Sequence, residues 1–176
     1  MRKLLLAMAG VVGIAAVVWG GEFRTPKQQT VETQKARVQE GKPFRIFNPE
    51  TMAKPTVGYS QVAEVGEGKI VYIAGQVALD KSGNLVGKDD FRAQAQQVFE
   101  NLKAAVEATG GDFNSVIKLN IYCSTSVDPA QLPVLREVRD KYVNTANPPT
   151  STLVFVQRLV RSEWMIEVDA VAVVKK

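Results

Sequence analysis

The chain contains no histidine. That removes a Ser-His-Asp or Cys-His nucleophile pair, an imidazole general base and any histidine-bearing metal site. Cysteine occurs once, at Cys123, so neither a thiolate zinc cluster nor an intramolecular disulfide is available. Excess positive charge is also missing from most of the chain. The net charge of +4 divides unevenly: residues 1–54 carry nine Lys or Arg against four Glu, and residues 55–176 carry thirteen against fourteen Asp or Glu. The basic balance therefore belongs to an N-terminal arm. A near-neutral remainder argues against a nucleic-acid-binding domain.

What is present begins with Met1-Arg2-Lys3 and the run Leu4 to Gly21, uncharged until Glu22. This reads as an export signal or signal anchor over residues 1–21, just long enough to span a bilayer if retained. With Arg2 and Lys3 inside, the rest is expected outside the inner membrane. It would be periplasmic or anchored facing the periplasm, touching membrane only through that segment. Residues 22–47 are polar and basic and read as a tether, with Phe44, Ile46 and Phe47 beginning the apolar material. The domain is expected over 48–176.

Within it, Tyr59–Val65 and Ile70–Leu79 read as strands joined by a tight Gly66-Glu67-Gly68 hairpin turn. Asp89 or Asp90 caps a helix running to Ala108, with Phe91, Ala95, Val98, Phe99, Leu102, Ala105 and Val106 as its apolar stripe. Val116–Ser124 is a third strand, with Ile117, Leu119, Ile121 and Cys123 on one face. Cys123 is then a buried small hydrophobe. Asp128-Pro129 opens a second helix to about Tyr142, and Pro133 delays its first full turn. Strands Thr152–Gln157 and Trp164–Val174 close the chain. The order β-β-α-β-α-β-β predicts an α+β domain with two helices on one face of a mixed five-strand sheet. The strands are apolar on both faces, so the second face needs a cover. Another copy of the same sheet would supply it, giving a closed homo-oligomer.

The last strand carries the most informative residues. Glu167 and Asp169 share one face of an otherwise apolar strand, roughly 6–7 Å apart by strand rise. A carboxylate in that setting is costly without a partner, which makes Glu167 the first candidate for chemistry. A solvated strand edge, or pairing with basic residues, would account for both acids equally well.

Gly58-Tyr59-Ser60-Gln61, Tyr72-Ile73-Ala74-Gly75-Gln76, Gln97 through Asn101-Leu102, Pro149-Thr150-Ser151-Thr152 and Ile166-Glu167-Val168-Asp169-Ala170-Val171-Ala172 together resemble the RidA (YjgF) family. The resemblance spans about Phe47 to Val174. It implies a chorismate-mutase-like fold, a homotrimer with three ligand clefts between subunits, and hydrolysis of reactive enamines and imines to keto acids and ammonia without cofactor or metal. It also implies roles. Tyr59 lines the cleft, Gly75 meets the ligand through its backbone, and Glu167 holds the attacking water. Thr150 departs from the pattern, because deaminating members carry there an arginine that grips the substrate carboxylate. A threonine cannot supply that charged fork. The helix asparagine that reaches the cleft is replaced by Arg136, a candidate relocated cation, and Thr152 completes the lining. Two functions follow. One is an imine or enamine deaminase with altered substrate choice, taking an imino or keto acid. The other is a non-catalytic small-molecule-binding or scaffolding trimer of the cell envelope. Nucleolytic activity ranks below both, because the near-neutral fold lacks aromatic stacking platforms.

Overall fold

The computed structural model describes residues 42–175. The expected export segment, and the tether up to residue 41, lie outside them. Asp90 opens the first helix as expected, its side chain accepting from the Ala93 amide at 3.0 Å. The helix, α1, runs Phe91–Glu107. A second helix, α2, spans Leu132–Arg139, later than Asp128-Pro129 suggested. Pro129–Gln131 forms a single 3-10 turn first, capped by Asp128. Pro133 then sits in the first helical turn, where its missing N–H costs nothing.

Among the described residues six strands accompany them: β1 Phe44–Phe47, β2 Val62–Val65, β3 Lys69–Gln76, β4 Val116–Ser124, β5 Thr150–Val156 and β6 Ile166–Val174. The expected single five-strand sheet is instead a four-strand sheet, ordered β3-β6-β4-β5, beside a β1-β2 pair. It is mixed, with β4 and β5 parallel and the other neighbours antiparallel. β2 does not hairpin onto β3. It pairs with β1, drawn from the last residues of the expected tether, in the register Phe44↔Val65 to Phe47↔Val62. The Gly66-Glu67-Gly68 turn serves that change of sheet. Gly66 donates its N–H to the Pro43 carbonyl. Gly68 has φ +136°, and a Cβ there would stand 2.8 Å from Val173 Cγ1, so only glycine passes.

Two bulges set which side chains face which way. Between Val116 and Lys118, β4 carries one extra residue against β6. Ile117 is thereby turned away from Leu119, Ile121 and Cys123 to join Phe44 and Val173 on the other side, contrary to simple alternation. A second irregularity between Ile73 and Gln76 brings Ile73 and Ala78 to the same helix-covered face, although strict alternation would place residues five apart on opposite faces. That face is the main core, with Phe99, Leu102, Leu119, Ile121, Ile166 and Val168 fully buried. Phe99, Phe113 and Tyr142 cluster at its edge with centroids 5.4–6.1 Å apart.

The opposite face is partly covered from within the chain. The β1-β2 pair packs Phe44, Ile46, Ala63 and Val65 on Ile117, Val171 and Val173. Beyond that patch, Tyr72 is 80% exposed, Ile70 47% and Val154 40%.

Candidate functional site

Direct cross-strand partners share a face, so the register fixes what the open side displays. One layer holds Glu167, Tyr122 and Val154, the next Asp169, Asn120 and Thr152, and the next Val171, Lys118 and Thr150.

Gly75 and Glu167 meet. A Cβ built on Gly75 would lie 1.9 Å from Glu167 Oε1 and 2.8 Å from its Cδ. The carboxylate therefore rests on the bare Cα of a glycine in the irregular stretch of β3. Any side chain at 75 would displace it. Burial raises the Glu167 carboxyl above its ordinary range, and the negative charge of Asp169 raises it further. Asp169 itself accepts from Asn120 Nδ2 at 2.8 Å. The Tyr122 hydroxyl is also raised, by its hydrogen bond to Asp169, then by burial and by the charges of Asp169 and Glu167. Asp169 is thus held by neutral partners, whereas Glu167 rests on Gly75 with its proton affinity raised by burial.

Two amide side chains set this geometry from the helix. Gln94, fully buried in α1, donates Nε2 to the Glu163 and Gly87 carbonyls at 2.9 and 3.2 Å. Its Oε1 accepts from the Met165 amide at 2.9 Å. It therefore fixes the chain two residues before Glu167. Asn101 donates Nδ2 to the Val77 and Leu79 carbonyls, at 3.0 and 2.9 Å, and so holds the chain just after Gly75. Asn101 was flagged only as part of a motif, and Gln94 was missed. A polar residue on an apolar helical stripe was the available signal.

Thr150 and Thr152 stand elsewhere on the open face. Thr150 Oγ1 donates to the Ile117 carbonyl at 2.9 Å, exploiting the β4 bulge. Thr152 Oγ1 accepts from Lys118 Nζ at 2.9 Å. Lys118 is half-buried and was also missed, because on alternation alone it is an ordinary strand lysine. Tyr59 lies near this end. Ser60 bridges in parallel to Thr150 and donates its N–H to the Pro149 carbonyl at 3.2 Å. Tyr59 itself lines an open hollow of about 410 Å³ in the 48–59 loop. Under that loop, the Arg139 guanidinium lies where a Gly58 Cβ would come within 2.4 Å of Nη2, and it pairs with Asp140 at 2.7 Å. Arg136 is not brought to the acid of its own chain. It is exposed on α2, on the helix side of the sheet.

The side chains thus form two groups towards opposite edges of the sheet. The Glu167 carboxylate leans onto Gly75 of β3, while Thr152 is on β5, three strands away in the order β3-β6-β4-β5. That is about 14 Å across the sheet.

A protein-family model described as Endoribonuclease L-PSP matches residues 50–174. A RutC family protein of Pyrococcus horikoshii is 37% identical over 128 residues, 72% of this chain and 95% of that protein. A 2-iminobutanoate/2-iminopropanoate deaminase of Dermatophagoides farinae is 31% identical over 133 residues, 76% of this chain and 98% of that one. The crystal structure of a Rid-family protein of unknown function from Yersinia pestis matches with a TM-score of 0.67 at 34% identity, covering 76% of this chain and 100% of that one.

Proposed function

The chain belongs to the RidA (YjgF) family, and on that premise we propose that it hydrolyses a reactive imine or enamine to a keto compound and ammonia. The observation that carries this reading is the Glu167 carboxylate seated on Gly75, with its proton affinity raised by burial. A carboxylate so raised takes a proton from water more readily at neutral pH than an ordinary one. In the proposed step, Glu167 accepts a proton from water as the water oxygen attacks the imine carbon, and passes it to the nitrogen to give the carbinolamine. Glu167 then takes the proton of the new hydroxyl and delivers it to the nitrogen. The C–N bond breaks, the carbonyl forms, ammonia leaves and the carboxylate is regenerated. One water is consumed for each ammonia released, and the step draws on no metal or redox group. The deaminase name of the mite relative supports the same chemistry.

Gly75, the seat of the Glu167 carboxylate, is on β3, and Thr152 is on β5, the opposite edge of the four-strand sheet. Three strand spacings put them about 14 Å apart, too far for one small molecule to touch both in a single chain. We take each as half of a cleft completed by a neighbouring copy in a homotrimer. The exposed Tyr72, Ile70 and Val154 are surface for that contact. The basic-then-apolar start of the sequence supports an exported, periplasm-facing location.

One observation favours the second reading, a non-catalytic small-molecule-binding or scaffolding trimer. Position 150 carries no cation, and its hydroxyl is committed to Ile117. The test presents 2-iminobutanoate, generated in place by an amino-acid oxidase, and follows ammonia. Release faster than in buffer, saturating with imine, supports hydrolysis. Saturable binding without turnover supports the binding module and overturns the enzyme.

A further inference from the structure

Among the described residues Lys118 is a cation with no acid paired to it. It stands half-buried on the open face, and its Nζ is spent on a neutral hydroxyl, Thr152 Oγ1, at 2.9 Å. The nearest cross-strand carboxylate, Asp169, is held instead by Asn120 and Tyr122. The Lys118 stem is partly covered while its hydrogen bond to Thr152 is exposed, so an anion can reach the ammonium from the open face. The hydroxyl geometry completes the argument. Thr152 Oγ1 accepts from Lys118, so its own proton remains free to donate. Thr150 is the opposite, since its proton already goes to the Ile117 carbonyl.

We infer that Lys118 Nζ and Thr152 Oγ1 form a two-donor cradle for the carboxylate of a small keto or imino acid. The ammonium supplies the charge and the hydroxyl supplies the second hydrogen bond. Lys118 stands on the neighbouring strand in direct register with the uncharged Thr150 and reaches along the strand to Thr152. This deepens the proposed hydrolytic reading by naming the anion end of its substrate, and rests on that reading only for the identity of the acid. An ammonium is a point charge on a flexible stem, so the cradle orients a carboxylate less strictly than a guanidinium fork. It therefore admits a wider range of acids.

The test titrates 2-oxobutanoate and its neutral methyl ester into the full chain and the variants Lys118→Met, Lys118→Arg and Thr152→Val. Lys118→Met should weaken the acid by about tenfold or more while the ester binds both forms alike. Lys118→Arg, which keeps the charge and guards against a folding artefact, should stay within roughly threefold. Thr152→Val should fall between them. Equal binding of the acid by wild type and Lys118→Met overturns the cradle. So does failure of the wild type to bind 2-oxobutanoate, or an ester loss as large as the acid loss. If imine is hydrolysed, Lys118→Met should raise KM and leave kcat in place. Binding through Lys118 without any imine hydrolysis keeps the cradle and removes the enzyme. Hydrolysis with an unchanged KM in Lys118→Met does the reverse.

Discussion

Replacing Gly75 by alanine adds one methyl group at the point where the chemistry is proposed to sit. The new Cβ would lie 1.9 Å from Glu167 Oε1, whereas ordinary contact begins at 3.4 Å. The carboxylate must therefore retreat by about 1.5 Å. Gly75 has no positive φ, so alanine meets no backbone penalty. In a strand, alanine gains roughly 0.5–1 kcal/mol over glycine. The obstruction is the flexible end of a side chain, and pushing Glu167 off its rotamer costs roughly 0.5–1.5 kcal/mol. The two terms nearly cancel, so thermal unfolding should move by less than about 1 kcal/mol. The rate should not be spared. Misplacing a reacting group by about 1 Å costs on the order of 100-fold, or about 2.7 kcal/mol of barrier. The assay pairs a melting curve with ammonia release from 2-iminobutanoate. A Gly75→Ala protein that melts normally and turns over normally would refute the reasoning. So would one that loses several kcal/mol of stability, because Gly75 would then be a packing requirement and not a seat for the acid.

Gln94→Leu should cost roughly 1–3 kcal/mol in a denaturant titration, because the half-buried Met165 amide and the Gly87 and Glu163 carbonyls lose their partner together. Cys123 is fully buried and its thiol is pushed up to about 11 by burial. It should resist thiol reagents at pH 8 in the folded protein and react once the protein is unfolded in denaturant. The raised Glu167 carboxyl also fixes a sign. Its folded proton affinity exceeds the unfolded one. Its contribution to stability is therefore fully present below the ordinary carboxylate range and is lost as pH rises through the raised value. Glu167→Gln, which carries no charge, should match the wild type in melting temperature at low pH and exceed it at neutral pH.

Periodicity was enough to read both helices and most strand positions. The stripe from Phe91 to Val106 is buried as spaced, and the alternation of Ile166 to Ala172 holds. What the sequence hid were events that alternation does not encode. The bulge that sends Ile117 to the opposite face depends on β6 being one residue shorter over that stretch, which is a property of the pair. The partner of β2 turned out to be Phe44–Phe47, a four-residue strand inside a stretch that composition marks as tether. At the site, Glu167 stood out because an acid interrupts an apolar strand. Its contact with Gly75 needs the irregularity between Ile73 and Gln76 and could not be counted from spacing. Lys118 was invisible for a related reason: only the parallel register with β5 shows that it faces Thr150 and reaches Thr152.

The most direct trial of the account is the rate of ammonia release from 2-iminobutanoate by Glu167→Gln beside the wild type, at matched protein mass and matched oligomeric state. An amide cannot accept the proton of the attacking water, so the variant should fall by about 100-fold or more, towards the buffer rate. A Glu167→Gln protein that releases ammonia as fast as the wild type would contradict the claim that this acid, resting on Gly75, holds and deprotonates the water.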